Sequence, residues 1–574
     1  MPYYCNPLNV NYRYQIPKKI NETEPGPAWR EAADPSMIYF KGSYYIFASM
    51  TLGVWVSKDL VHWENHSLPE ELPLYDYAPD VRVMGDYVYF CASRILKNCD
   101  RYRTKDILNG PYEKIPGNFS FWDPNLFIDE DGRVYFYWGC SNDTPICGTE
   151  LDPETMLPMG EKKNLIFGNP QERGYERVGE DNSVNAVSKE SRPFIEGAWM
   201  DKHDGKYYLQ YAFAGTEYNT YGDGVYVGDS PLGPFTPQKN NPYSYHPGGF
   251  LPGAGHGSTM EDAAGNLWHT ATMRISLNHI FERRVGLWPA GYDKDGELYC
   301  NQRYGDWPRK ITGDKKDPWD EPDWMLLSVG KQAGASSETE GYPASNAVCE
   351  NVQNWWKPAS DDGSPWLLLD LEKQYRVHGI QINFADDLLY LPCRDESKGI
   401  TRFIEDRTYP TRWKLWGSKD GADWFVIEDK SAAETDFSHD FIVREEGVSL
   451  RYLKLTDMAV PYEQPPCISG IRVFGKGDGE KPEEPRFEAV RIGDLDMEVE
   501  ILKEAGANRP DFHALGYEIL WGHAPDKLYH SRTLYGEKVC IGALVKGKEY
   551  YVRVDAFNEN GITHGRVQEL NIRN

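Results

Sequence analysis

Through the first 320 or so residues, apolar runs alternate with glycine-bearing turns, and one phrase recurs: a short strand, a turn, then an aromatic-rich strand. It reads Lys41-Gly-Ser-Tyr-Tyr-Ile-Phe-Ala-Ser49, then Gly85-Asp-Tyr-Val-Tyr-Phe-Cys-Ala-Ser93. It returns as Asp131-Gly-Arg-Val-Tyr-Phe-Tyr-Trp-Gly139, as Asp204-Gly-Lys-Tyr-Tyr-Leu-Gln-Tyr-Ala212, and more weakly as Ala264-Gly-Asn-Leu-Trp-His-Thr-Ala-Thr272. Glycine, or Asp-Gly, between alternating apolar runs is a hairpin signal. Five such hairpins at intervals of several tens of residues predict a five-bladed β-propeller, each blade a small antiparallel sheet around one axis. A β-sandwich would give short strands without this self-similarity.

The repeat also lines up chemistry. Eight or nine residues before Gly42, Gly132, Gly205 and Gly265 stand Asp34, Asp123, Glu196 and His256; the same offset before Gly85 falls on Asp76 and Tyr77. Equivalent positions in equivalent blades are related by rotation, so these side chains are expected to converge near the axis. Asp34 and Asp123 each precede a proline, which biases them to extended backbone at a strand start. Glu196 sits in Pro193-Phe-Ile-Glu-Gly-Ala-Trp199, whose apolar neighbours disfavour a charged carboxylate, as a general acid needs. Each acid alone reads equally well as a turn or cap residue. Three at one offset point to catalysis.

Composition narrows the classes. A chain of 574 residues exceeds one hydrophobic core, and 38 Tyr and 18 Trp suit both β-sheet cores and the flat faces of sugar rings. A net charge of −26 with no Lys/Arg run argues against nucleic acid. No stretch reaches the roughly 18 apolar residues of a membrane span, so no membrane partner is expected. The start, Met1-Pro-Tyr-Tyr-Cys-Asn-Pro-Leu8, lacks a basic segment followed by an apolar one, and ten scattered cysteines read as reduced thiols. Together these predict a cytoplasmic protein.

The segments Ala33-Asp-Pro-Ser-Met-Ile-Tyr39, Trp122-Asp-Pro-Asn-Leu-Phe127, Ile195-Glu-Gly-Ala-Trp199 and Pro252-Gly-Ala-Gly-His-Gly-Ser258 resemble glycoside hydrolase family 43. The likeness runs from near residue 25 to about 315. It implies an inverting glycosidase with Asp34 as general base, Glu196 as general acid, and Asp123 orienting Glu196 and keeping it protonated. Arg283, Trp199 and Tyr77 would bind substrate. No cofactor is implied, though a calcium or other ion in the channel, with His256 as a ligand, is compatible with the pattern. The expected activity is release of terminal β-D-xylosyl or α-L-arabinofuranosyl residues from plant-derived oligosaccharides. The alternatives are an endo-acting arabinanase and a non-catalytic sugar-binding propeller.

The all-β reading extends beyond this segment. Asp317-Pro-Trp-Asp-Glu-Pro-Asp323 marks the end of a propeller over 1–320. Over 325–476, Gly341-Tyr-Pro-Ala-Ser-Asn-Ala-Val348, Trp366-Leu-Leu-Leu-Asp-Leu371 and Ser469-Gly-Ile-Arg-Val-Phe474 resemble a discoidin-type β-sandwich, with Cys349-Glu350 where family members commonly carry Asp-Gly. After a Gly-, Pro- and charge-rich linker, 484–574 resembles a fibronectin type III sandwich, in which Tyr550 or Tyr551 would make a corner contact.

Overall fold

The computed structural model describes residues 2–17, 25–69, 72, 77–94, 97–183, 194–393, 402–502 and 513–572, and these form an all-β protein with a few 3₁₀ turns. Each recurring phrase builds a hairpin. Its glycine is the turn: Gly42, Gly85, Gly132, Gly205 and Gly265 all have φ between +57° and +82°. Lys41 and Asp204, just before two of them, are left-handed as well, the geometry that matches the twist of the flanking strands.

Five four-stranded antiparallel sheets follow in chain order, each strand beside its sequence neighbour. Their first strands are Ala33–Phe40, Tyr77–Met84, Asn125–Ile128, Ile195–His203 and Gly255–Glu261. The first strand of each sheet touches the first strand of the next, and the fifth returns to the first, so the five close a ring. Period-two alternation fills the spaces between sheets. On Tyr87–Ser93, Val88, Phe90 and Ala92 pack with Ile38, Phe40 and Phe47 of the first sheet. Tyr89 and Cys91 face the other way, onto Leu126, Val134 and Phe136 of the third.

Beyond the ring, a seven-stranded sheet is built around the long strands Leu367–Ala385 and His439–Ala459. Glu350 is left-handed (φ 53°), and its buried carboxylate pairs with Arg472 at 2.8 Å. The last described residues form a four-stranded and a five-stranded sheet. Tyr550 lies between them in sequence and is buried, and its hydroxyl accepts the Val545 N–H at 2.9 Å. One hydrophobic cluster joins Tyr137, Leu209 and Phe213 of the ring to Ile519, Trp521 and Val552 of these last sheets.

A further sheet crosses regions. Arg13–Pro17 lies between Trp29–Glu31 and Arg402–Ile404, so a strand from the seven-stranded region's part of the chain pairs with the chain's beginning. Beside it Tyr390–Leu391 pairs with Gly26–Pro27. Arg30, buried here, bonds Asp386 at 3.1 Å and Asp436 at 3.2 Å.

Candidate active site

A shared irregularity aims the side chains. At the ring end of the five inner strands stand residues with positive φ: Asp34 (52°), Ala78 (49°), Asp123 (52°), Gly197 (60°) and His256 (48°). Ladder register breaks beside them, between Ala33 and Ser36, Glu196 and Trp199, and Gly255 and Ser258. Such bulges bend a strand and re-aim its side chains. Left-handed backbone at a residue other than glycine costs roughly 1–3 kcal/mol and gathers at functional sites. Here neighbouring side chains hold the strained amides. The N–H of Asp34 donates to Thr272 Oγ1 (2.8 Å), that of Ala78 to Ser49 Oγ (2.6 Å), that of Asp123 to Ser93 Oγ (2.9 Å) and that of His256 to Asp223 Oδ1 (2.8 Å).

This geometry corrects the alignment drawn from sequence. The repeat position in the fourth sheet is Gly197, and Glu196 precedes it by one residue. In the second sheet it is Ala78; Tyr77 precedes it, and Asp76 lies outside the described residues. Glycine at 197 has a packing reason too. A Cβ there would sit 2.7 Å from Cγ and Cδ2 of His256.

The acids nonetheless converge. His256 Nδ1 lies 3.4 Å from Asp34 Oδ1 and 3.9 Å from Asp123 Oδ2. Carboxylate oxygens of Asp123 and Glu196 and the Cys140 Sγ fall within 4.8 Å of one another. Asp34 and Asp123 therefore both lie at the Nδ1 edge of the imidazole, with Glu196 beside Asp123. Asp34 accepts a hydrogen bond from Ser49 Oγ (2.5 Å), and Arg283 Nη1 stands 3.6 Å from its other oxygen. Glu196 accepts from the Tyr221 hydroxyl on Oε1 and from the Cys140 thiol on Oε2 (3.4 Å).

Their environments separate the groups chemically. Burial by itself would raise the Asp34 carboxyl, but Arg283, His256, the Ser49 hydrogen bond and Arg402 outweigh it and hold Asp34 below its ordinary value. Asp34 is thus an ionised base. Burial pushes Asp123 well above the ordinary carboxylate range, with Glu196 and Asp34 adding to the rise against the pull of His256. His256 would lose its charge through burial, yet Asp34, Asp123, Glu196 and Asp223 raise it above its ordinary value. Burial, Asp123 and Glu196 keep Cys140 a protonated thiol.

The other expected residues divide. Tyr77 is half-buried and lies against Trp122, with ring centroids 5.6 Å apart. Arg283 is buried, and its guanidinium is engaged by Glu31 and Asp34. Trp199 packs against a cation. Its ring lies under the Arg82 guanidinium (3.4 Å), its Nε1 donates to Asp201, and it lines a cavity toward the other end of the strands, away from the acids. Sequence reading missed Tyr221, Cys140, Ser49 and Glu31. Of these only Ser49 carried a signal, as the last residue of the first recurring phrase.

With three acids converging on one histidine, comparison with known proteins identifies the segment. Residues 29–298 match the model of glycosyl hydrolases family 43. This segment is a family 43 domain. It resembles a xylosidase/arabinosidase of Humicola insolens, 27% identical over 268 residues, which are 39% of this chain and 73% of that protein. A β-xylosidase of Xylanibacter ruminicola is 31% identical over 151 residues, 22% of this chain and 44% of that protein. The match thus spans less than half of the Xylanibacter protein. A family 43 protein from Bacillus licheniformis superposes on 99% of this chain and 91% of its own, at 16% identity and a TM-score of 0.40.

Proposed function

We propose that the protein is an inverting glycoside hydrolase that releases terminal β-D-xylosyl or α-L-arabinofuranosyl residues from oligosaccharides. One observation carries this: Asp34, held in its ionised form, and the Asp123–Glu196 pair are gathered about one histidine, His256. In the proposed reaction Asp34 takes a proton from water as the water oxygen bonds to the anomeric carbon. Glu196 gives its proton to the glycosidic oxygen as that bond breaks, leaving a sugar of inverted configuration. Asp123 orients Glu196, and Tyr221 and Cys140 fix the carboxyl in place. The relatives named xylosidase/arabinosidase and β-xylosidase support the choice of pentoses. No cofactor enters this reading. An ion such as calcium in the channel would be held with His256 and would supply charge stabilisation.

The closed ring of five sheets supports the five-bladed propeller, and the sheets beyond it support a discoidin-like sandwich over 325–476 and a fibronectin type III-like sandwich over 484–574. The test is release of 4-nitrophenol from a panel of aryl glycosides led by α-L-arabinofuranoside and β-D-xyloside, with NMR of the first-formed anomer. Glu196→Gln is expected to lower kcat at least roughly a hundredfold, within the range of general acid catalysis, with sugar binding kept. A retained anomer would overturn the inverting mechanism, and an unaffected Glu196→Gln would overturn the role of that residue.

A further inference from the structure

The seven-stranded region sends one stretch of chain back to the catalytic ring, and that stretch ends beside the base. It is anchored at two places. Tyr390–Leu391 pairs with Gly26–Pro27, and Arg402–Ile404 pairs with Arg13–Pro17 in the register Gln15 to Ile404 and Pro17 to Arg402. Phe403 packs with Ile16 and Ala28, which fixes the strand's face and turns Arg402 to the other side.

On that side Arg402 is buried. Its Nη1 donates to Gln15 Oε1 at 2.8 Å and to Glu31 Oε2. Its guanidinium lies over the rings of Phe281 (4.9 Å), Trp29 (5.2 Å) and Tyr77 (5.4 Å). Glu31 is wholly buried. Its Oε2 also accepts Trp29 Nε1 at 2.8 Å, and its Oε1 accepts Arg283 Nη2. Arg283 in turn stands 3.6 Å from Asp34. Charges therefore alternate along one buried line: Arg402, Glu31, Arg283, Asp34, His256.

We propose that Arg402 is a positioning residue of the active site, contributed by the second region, which holds Glu31 and through it keeps Arg283 on Asp34. The physical reason is a count of charge. Arg402, Glu31, Arg283 and Asp34 sum to zero. Without Arg402, two buried carboxylates share one arginine, and Arg283, already bonded to Glu31, is drawn further from Asp34. A buried charge that loses its partner is costly, so the remaining groups rearrange around it. The groups facing Asp34 are Arg283, His256, Ser49, Tyr221 and Asp123, with Arg402 behind Glu31; Arg402 and Arg283 are the arginines that favour its ionised form. The aromatic box adds a second consequence. Tyr77, at the rim, rests on a guanidinium from the second region, so removing that cation loosens the rim as well as the base.

This inference rests on the proposed role of Asp34 and is tested so that the two fail separately. The experiment compares the full-length protein with Arg402→Met, Arg402→Lys and Asp34→Asn, measuring kcat and KM against pH on the aryl glycoside cleaved fastest. Expected is a fall in kcat of roughly ten- to hundredfold for Arg402→Met, as for a displaced catalytic group. The acid limb of the profile should move up by about one pH unit, since a favourable cation has been removed. Arg402→Lys should return the limb most of the way. A limb that stays in place in Arg402→Met, or methionine and lysine variants with one profile, would overturn the inference. Activity surviving in Asp34→Asn would instead overturn the role of the base. Should turnover be absent, the carboxyl infrared band that differs between each protein and its Asp34→Asn counterpart is titrated: its midpoint must rise in Arg402→Met, and an unmoved midpoint sinks the proposal. Melting temperatures check folding. If Arg402→Met does not fold, Arg402→Gln, which keeps a donor to Glu31, makes the same comparison.

Discussion

The two ends of the five inner strands offer different things. One end carries the left-handed residues, with Asp34, Asp123, Glu196 and His256 drawn together and nearly closed off from solvent. Toward the other end lies a cavity of about 640 Å³, lined by Arg82, Trp199, Asp201, Trp268 and Tyr292 among others. None of the converging acids lines this cavity. Strained backbone and opposed charges converge at the acid end, and none of those strained residues lines this cavity. The difference arises within single strands. Trp199 and Glu196 are three residues apart on one strand, yet one lies against Arg82 and the other meets Tyr221 and Cys140.

That contrast can be broken by substitution. The largest effect is expected for Asp34→Asn, which removes the base and should cost roughly 10²- to 10⁴-fold in kcat. Near-normal turnover would move the chemistry away from this cluster. Tyr221→Phe removes one of the two side-chain donors that hold Glu196; a fall of roughly tenfold in kcat with little change in KM is expected for a carboxyl that has lost its position.

At the other end the expected effect is on stability. Burial raises the Asp201 carboxyl to about 6, above its ordinary value near 3.8. The folded protein therefore binds this proton more tightly than the unfolded chain. The contribution is fully present below about pH 4 and is lost as pH rises through 6. Between those values the melting temperature of the wild type should decline relative to that of Asp201→Asn, with kcat unchanged. Parallel melting curves would show that Asp201 is not held protonated. The smallest effect is expected for Trp199→Phe: a loss of roughly 1–2 kcal/mol of stability from the Arg82 stack and trimmed core, and turnover within a few-fold of wild type. A large rise in KM would return Trp199 to the substrate site.

Local pattern was enough for much of this. The recurring glycine turns mark five real hairpins, because a left-handed turn between apolar strands is a property of a few neighbouring residues. The offset from those turns brought out Asp34, Asp123 and His256, since strand length fixes where each inner strand begins. It reached Glu196 and Tyr77 only approximately. A bulge adds a residue, and nothing in the chain around Ile195-Glu-Gly-Ala198 says on which side of Gly197 the functional group will fall.

What the sequence determined by itself, then, is the all-β class, the fivefold hairpin repeat and the acids that the repeat delivers. Only the tertiary structure decided their partners. Glu31 and Arg283 lie about 250 positions apart and Arg402 lies farther still, yet one buried ion-pair line requires all three. Tyr221 meets Glu196 from just before the third strand of the same sheet, Gly222–Gly228, and Cys140 from just past the strand Val134–Trp138 of the neighbouring sheet. The reason is physical. Turns and strands are set by neighbours along the chain, whereas a buried charge is set by whichever opposite charge the fold brings within a few ångströms, and no spacing in the sequence records that distance.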